Sequence, residues 1–244
     1  MKRSLQVVIA AVFFVLSLSL PALAGWLDDL NSVVETLTAP GTGLDDATIA
    51  RGLKEALATG TTRAVASVSR PDGYFGNQMI KILLPEKVRS TAELLSRFGF
   101  RQEVDDFVLS MNRAAEQAAP KATEYFVGAL KAMTFDDARR ILKGDATSAT
   151  EYFREKTGDK IYAAFKPVVS AKMKEVGVAR YYGQMKERFE TIPFAGTISS
   201  VDLDHYVTTR AVDGLFTTLG EEERRIRTDP AARSTELLKK VFGK

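Results

Sequence analysis

Cysteine is absent from this 244-residue chain, and histidine and tryptophan occur once each. Without a thiol there is no disulfide and no thiolate-bound metal, so stability has to come from packing. The single imidazole, His205, excludes a zinc site with two or more histidines and allows a Ser-His triad only around itself. Also missing are a G-x-S-x-G nucleophile elbow, a phosphate-binding G-x-x-x-x-G-K-[ST] loop and an S-x-x-K serine nucleophile. No glutamate is followed directly by serine, the pair found in many helical lytic transglycosylases. Asp202 and Asp204 have the spacing of a calcium loop but lack its third acid, its glycine and its closing glutamate. These absences lead to an expectation of no metal and no cofactor.

Long apolar runs are equally scarce, with one exception. Met1, Lys2 and Arg3 open the chain with positive charge, Val7 to Leu20 is free of charge for 14 residues, and Pro21 to Ala24 ends in an A-x-A pattern. That is the layout of a secretory signal peptide cleaved after Ala24. The run falls short of the roughly 20 residues that span a hydrocarbon core. Residues 1–24 are therefore expected to leave, with no transmembrane anchor after cleavage. With no cysteine at the cleavage site, a lipid anchor is excluded too. Lys2 and Arg3 depart with the leader, so the total of 34 Lys and Arg drops to one above the 31 Asp and Glu. The basicity of the whole chain thus gives no footprint for nucleic acid. The expected location is the periplasm.

What remains, residues 25–244, is helical in its periodicity almost throughout, an all-α multi-helix bundle of about nine to eleven helices. It reads as a single all-helical domain, with two lobes meeting near residue 145 as the other arrangement. Trp26 to Leu37 carries one apolar stripe, and a second helix is expected from about Asp46 to Ser69. In that second helix Gly52, Ala56, Gly60 and Ala64 run as a small-residue series, which suits close approach of another helix. Pro85 suits the start of a helix that ends at Gly99, and Arg101–Ala118 and a helix from Pro120 follow. Thr134 caps a short helix that closes at Gly144, and Asp145 begins the next. Pro167 is expected to kink that helix or restart it. Helices at residues 178–190, 201–227 and 229–242 complete the chain, and the run Glu221 to Arg227 reads mostly as a solvated face.

The irregular stretch Arg70 to Pro85, R-P-D-G-Y-F-G-N-Q-M-I-K-I-L-L-P, stands apart. Pro71, Asp72 and Gly73 are turn chemistry, and Ile80, Lys81 and Ile82 alternate as in a short extended segment near residues 78–84, the only one expected. Asp72, Tyr74 and Asn77 offer an acid, an aromatic ring and an amide for ligand binding. An ordered connection whose aromatics plug the core is the competing reading. On the Arg101–Ala118 helix, Asp105, Asn112 and Glu116 align on the border of the apolar face, next to Arg113. Asn112 and Arg113 extend the ligand-binding set. Asp105 and Glu116 are the candidate acid–base pair, since half-buried carboxylates can titrate in a useful range.

Several segments occur in a distinctive order: P-D-G-Y-F-G-N from Pro71, L-P-E-K from Leu84, D-D-F-V-L-S-M-N-R-A-A-E from Asp105 and M-T-F-D-D-A from Met133. A-T-E-Y-F-R from Ala149, D-G-L-F from Asp213, D-P-A-A-R from Asp229 and the ending L-L-K-K-V-F-G-K continue it. With the leader and G-W-L at Gly25, this order resembles the bacterial family called domain of unknown function 4197. The resemblance implies an exported, mainly helical protein and no particular reaction. The expected function is a binding or interaction module of the cell envelope, its partner an envelope protein or a small hydrophobic ligand. The alternative is a carboxylate-dependent envelope hydrolase.

Overall fold

The computed structural model describes residues 46–175, 178–191 and 201–232. The leader, the helix expected over Trp26–Leu37, Gly177, the loop at residues 192–197 and the terminal run from Leu237 to Phe242 lie outside them. Among the described residues the regular structure is helical, without a strand. The elements are α1 (Asp46–Ser69), α2 (Glu86–Arg97), α3 (Arg101–Ala118), α4 (Ala122–Ala132), α5 (Phe135–Lys143), α6 (Ser148–Glu175), α7 (Val178–Glu190) and α8 (Leu203–Thr228). A 3-10 turn, Ala119–Lys121, joins α3 to α4 through helical backbone at Ala119 and Ala122.

The described residues hold fewer than the nine to eleven helices expected of the chain, two of which, over Trp26–Leu37 and closing with Phe242, fall outside or largely outside them. Pro120 sits in the first turn of the 3-10 segment, where its missing N–H costs little, and the backbone stays helical on both sides of it. Pro167 lies inside α6, which continues from Ser148 to Glu175 without a new start. That helix also begins three residues later than Asp145, whose carbonyl accepts the Ser148 N–H at 3.2 Å.

Capping chemistry fixes the other ends. Gly99 has φ +92° after α2, and the Phe100 N–H returns to the Leu95 carbonyl at 3.0 Å, which closes a Schellman motif. At α5 the Thr134 hydroxyl accepts the Asp137 N–H at 3.1 Å while the Asp137 carboxylate accepts the Thr134 N–H at 3.0 Å, a capping box. Asp202 caps α8 by accepting the His205 N–H at 2.9 Å.

The core forms where α6 and α8 lie together, with α1 against α8 and α3 and α4 against α6. Phe126 of α4 meets Phe153 of α6 and Phe216 of α8 edge-on, with centroids 5.3 and 5.9 Å apart. Gly52, Ala56, Gly60 and Ala64 are all buried. Ile226 Cδ1 of α8 lies 3.5 Å from the Cβ position at Gly60, so the small-residue series does serve helix approach.

The run Glu221 to Arg227 departs from a simple solvated face. Glu222 and Glu223 are both buried. Glu223 accepts the Ala149 and Thr150 N–H groups at 3.0 and 2.8 Å, and pairs with Arg227 at 2.9 Å. It thereby supplies, from α8, the acceptors that the first turn of α6 lacks.

Candidate functional site: a groove beside a docked turn

Residues 70–77 fold as consecutive turns. The Gly73 N–H bonds to the Arg70 carbonyl at 2.9 Å, with Pro71 second in the turn and Asp72 third at φ +63°. This is the pattern of a type II turn, in which aspartate is among the few side-chain-bearing residues that tolerate the left-handed region. The turn delivers Tyr74 into the core, where it is fully buried and its hydroxyl donates to the Ala211 carbonyl at 2.5 Å. Gly214 makes room for the ring: a Cβ there would stand 2.6 Å from Tyr74 Cε1. Burial, with the Glu116 and Asp213 charges adding, pushes the Tyr74 phenol far above its ordinary range.

Helix α3 holds this turn from the other side. Glu116, buried, accepts the Tyr74 and Phe75 N–H groups at 3.1 and 3.3 Å. Its second oxygen takes Arg113 at 2.7 Å, and Arg113 reaches Asp72 at 2.8 Å. A buried carboxylate without such partners would cost several kcal/mol. Here both oxygens are satisfied. One turn earlier, Asn112 accepts the Ile82 N–H and donates to the Ile82 carbonyl, both at 2.9 Å, and also donates to the Val108 carbonyl at 2.8 Å. Its amide pairs with residue 82 as a neighbouring strand would. This explains why residues 80–84 show a strand's alternating burial with no strand partner: Ile80, Ile82 and Leu84 point in, Leu83 out.

The sequence candidates thus divide. Asp72, Tyr74, Asn112, Arg113 and Glu116 converge, and all five act in seating the turn. Asn77 sits in the turn itself, where its side chain accepts the Met79 N–H at 3.0 Å and its carbonyl accepts those of Ile80 and Lys81. Asp105 is exposed. Eleven positions from Glu116 on α3, it lies about 16 Å away along the axis, beyond the roughly 5–9.5 Å that separates cooperating carboxylates. Asn112 and Glu116 are also more than border residues. The docked segment covers that side of α3 and buries both.

Seating the turn creates a groove between residues 79–83 and α8. Its cavity volume is about 280 Å³, and Met79, Lys81, Leu83, Arg89, Tyr206, Arg210, Asp213 and Thr217 contribute to its walls. Past Tyr206 and Arg210 it opens into a wider depression of about 570 Å³ that reaches Glu86, Lys87 and His205. The Tyr206 hydroxyl ties the two walls together by donating to the Leu83 carbonyl at 2.9 Å. His205 shares a 2.8 Å hydrogen bond with the Tyr162 hydroxyl at the far rim.

Sequence reasoning missed this groove. Met79, Lys81 and Leu83 were legible as the outward face of an alternating segment. Arg89 and Arg210 come from α2 and α8, and no local signal links them.

Among the described residues no helix is long and apolar enough to cross a membrane, and no group of three or more His, Asp or Glu is arranged to hold a metal. No curated protein and no solved structure matches the chain. A family model does match, over residues 43–243, a span that includes the turn, its α3 supports and both walls of the groove. The chain belongs to the family described as protein of unknown function DUF4197.

Proposed function

We propose that this protein is a binding module of the bacterial cell envelope, exported by its leader, cleaved after Ala24 and retained in the periplasm. The groove carries this reading. Met79 and Leu83, 66% and 54% exposed, stand on one wall beside Lys81, Arg89 and Arg210. Isolated exposed apolar residues are ordinary on a protein surface, but two sharing one concave site with convergent polar groups suit ligand recognition. The packing of α1 on α8 and of α3 on α6 favours one domain across position 145. No observation favours the hydrolase, whose candidate pair Asp105 and Glu116 shares no cleft. Native mass spectrometry of protein purified from the periplasm, together with in-cell crosslinking, tests the proposal. A copurifying ligand, or an envelope partner crosslinked through positions 79–83 or 210, is expected. Recovery of bare protein with no reproducible crosslink overturns it.

A further inference from the structure

Three cations line the groove: Lys81, Arg89 and Arg210. Among the described residues none of them pairs with a carboxylate. Lys81 Nζ lies 3.9 Å above the Phe75 ring, and the Arg210 guanidinium lies 5.5 Å from the centre of the Tyr206 ring. These contacts orient the two side chains without an ion pair to either, and beyond the groove Arg210 shares the wider depression with the acids Glu86 and Asp202. The one acid in the same wall, Asp213, is already engaged by Arg154 at 3.0 Å. Positive charge therefore gathers where Met79 and Leu83 expose apolar surface. Arginine's planar fork matches an oxyanion, and methionine adapts to an alkyl chain.

Resting on the groove reading above, we propose that the ligand is a single-chain anionic amphiphile. Its oxyanion head group is held by Arg89 and Arg210, with Lys81 adding charge, and its chain lies over Met79 and Leu83. The small cavity volume, about 280 Å³, suits one chain.

Calorimetric titration with decyl phosphate below its micellar concentration tests this, with inorganic phosphate and the uncharged decyl maltoside as comparisons. The double variant Arg89→Ala/Arg210→Ala and the single variant Leu83→Ser replace exposed side chains, and circular dichroism checks that each stays folded. Saturable binding of decyl phosphate is expected, at least tenfold tighter than either comparison, weakened at least tenfold in the double variant and also weakened by Leu83→Ser. If decyl maltoside binds equally well and the double variant changes nothing, the anionic head group is wrong while the groove reading stands. If inorganic phosphate binds as tightly as decyl phosphate and Leu83→Ser has no effect, the site takes a free oxyanion and the amphiphile is overturned. Binding of none of the three overturns this inference. The groove reading falls with it only if native protein also carries no ligand or partner.

Discussion

Tyr74 shows how one side chain anchors a whole segment. Burying its ring removes on the order of 200 Å² from water, about 5 kcal/mol at the upper bound, against roughly 1 kcal/mol for its hydroxyl bond to Ala211. The ring, more than the polar contacts, keeps the turn seated. Gly214 is therefore irreplaceable in a way that Gly60 is not, because their Cβ positions lie 2.6 Å from Tyr74 Cε1 and 3.5 Å from Ile226 Cδ1 respectively. Gly214→Ala is expected to destabilise by about 1–3 kcal/mol through overpacking. Gly60→Ala is expected to be neutral or to stabilise by up to about 1 kcal/mol, since alanine is the better helix former. Urea denaturation of the two variants separates these outcomes. Tyr74→Phe should cost about 1 kcal/mol at neutral pH and alter the alkaline limb. The phenol is raised in the folded state, so its contribution is complete below the unfolded value near pH 10 and declines as pH rises beyond it. The folded chain binds the proton more tightly there, so stability falls by about 1.4 kcal/mol per pH unit for this group. The variant should lose that share of the slope, read from urea midpoints between pH 9 and 11.

Among the elements, α6 depends on a residue from another helix. Its first turn has no acceptor from its own flank for the Ala149 and Thr150 N–H groups, and Glu223 of α8 provides one. Glu223→Ala would orphan both donors and leave the nearly buried Arg227 without its carboxylate, at an expected cost of about 3–5 kcal/mol. Glu223→Gln keeps an acceptor and should cost less. Thermal melts rank the pair, and equal losses would show that a neutral acceptor does not suffice and that the charge of the carboxylate is what α6 and Arg227 need. Helix α5 is the self-sufficient contrast, capped within its own sequence by Thr134 and Asp137. The Asp137 carboxyl is held below its ordinary value, chiefly by the bonds from Thr134 and then by Arg140. A depressed acid contributes stability above its unfolded value, and that stability is lost as pH falls through the folded value. Thr134→Ala should cost about 1 kcal/mol at pH 7 and flatten the loss below about pH 4, seen by circular dichroism of an acid titration.

For the molecule as a whole, the helical architecture was legible along the chain, and the site was not. The leader predicts an exported product whose intact mass begins at Gly25. Mass spectrometry of a periplasmic extract checks this, and a retained Met1 would refute it. Helices α1, α3, α7 and α8 follow from apolar repeats, and the ends of α2 and α5 follow from Gly99 and the Thr134 box, because periodicity and caps act within a few residues. Of the kink or restart expected at Pro167, the restart does not occur: local preference disfavours a helix there, and packing of α6 against α3, α4 and α8 outweighs it. The segment around Tyr74 is conspicuous in sequence, with two readings of its aromatics left open. Tertiary structure decided between them at Tyr74 itself, since Glu116, Asn112 and Gly214 form its seat only once α3 and α8 face each other. Arg89 and Arg210 meet Met79 and Leu83 in one groove for the same reason. Sequence alone determined the helical class and most of the described helices, which depend on neighbours in the chain. Only the fold decided where cations and apolar surface converge, because that depends on residues more than a hundred positions apart.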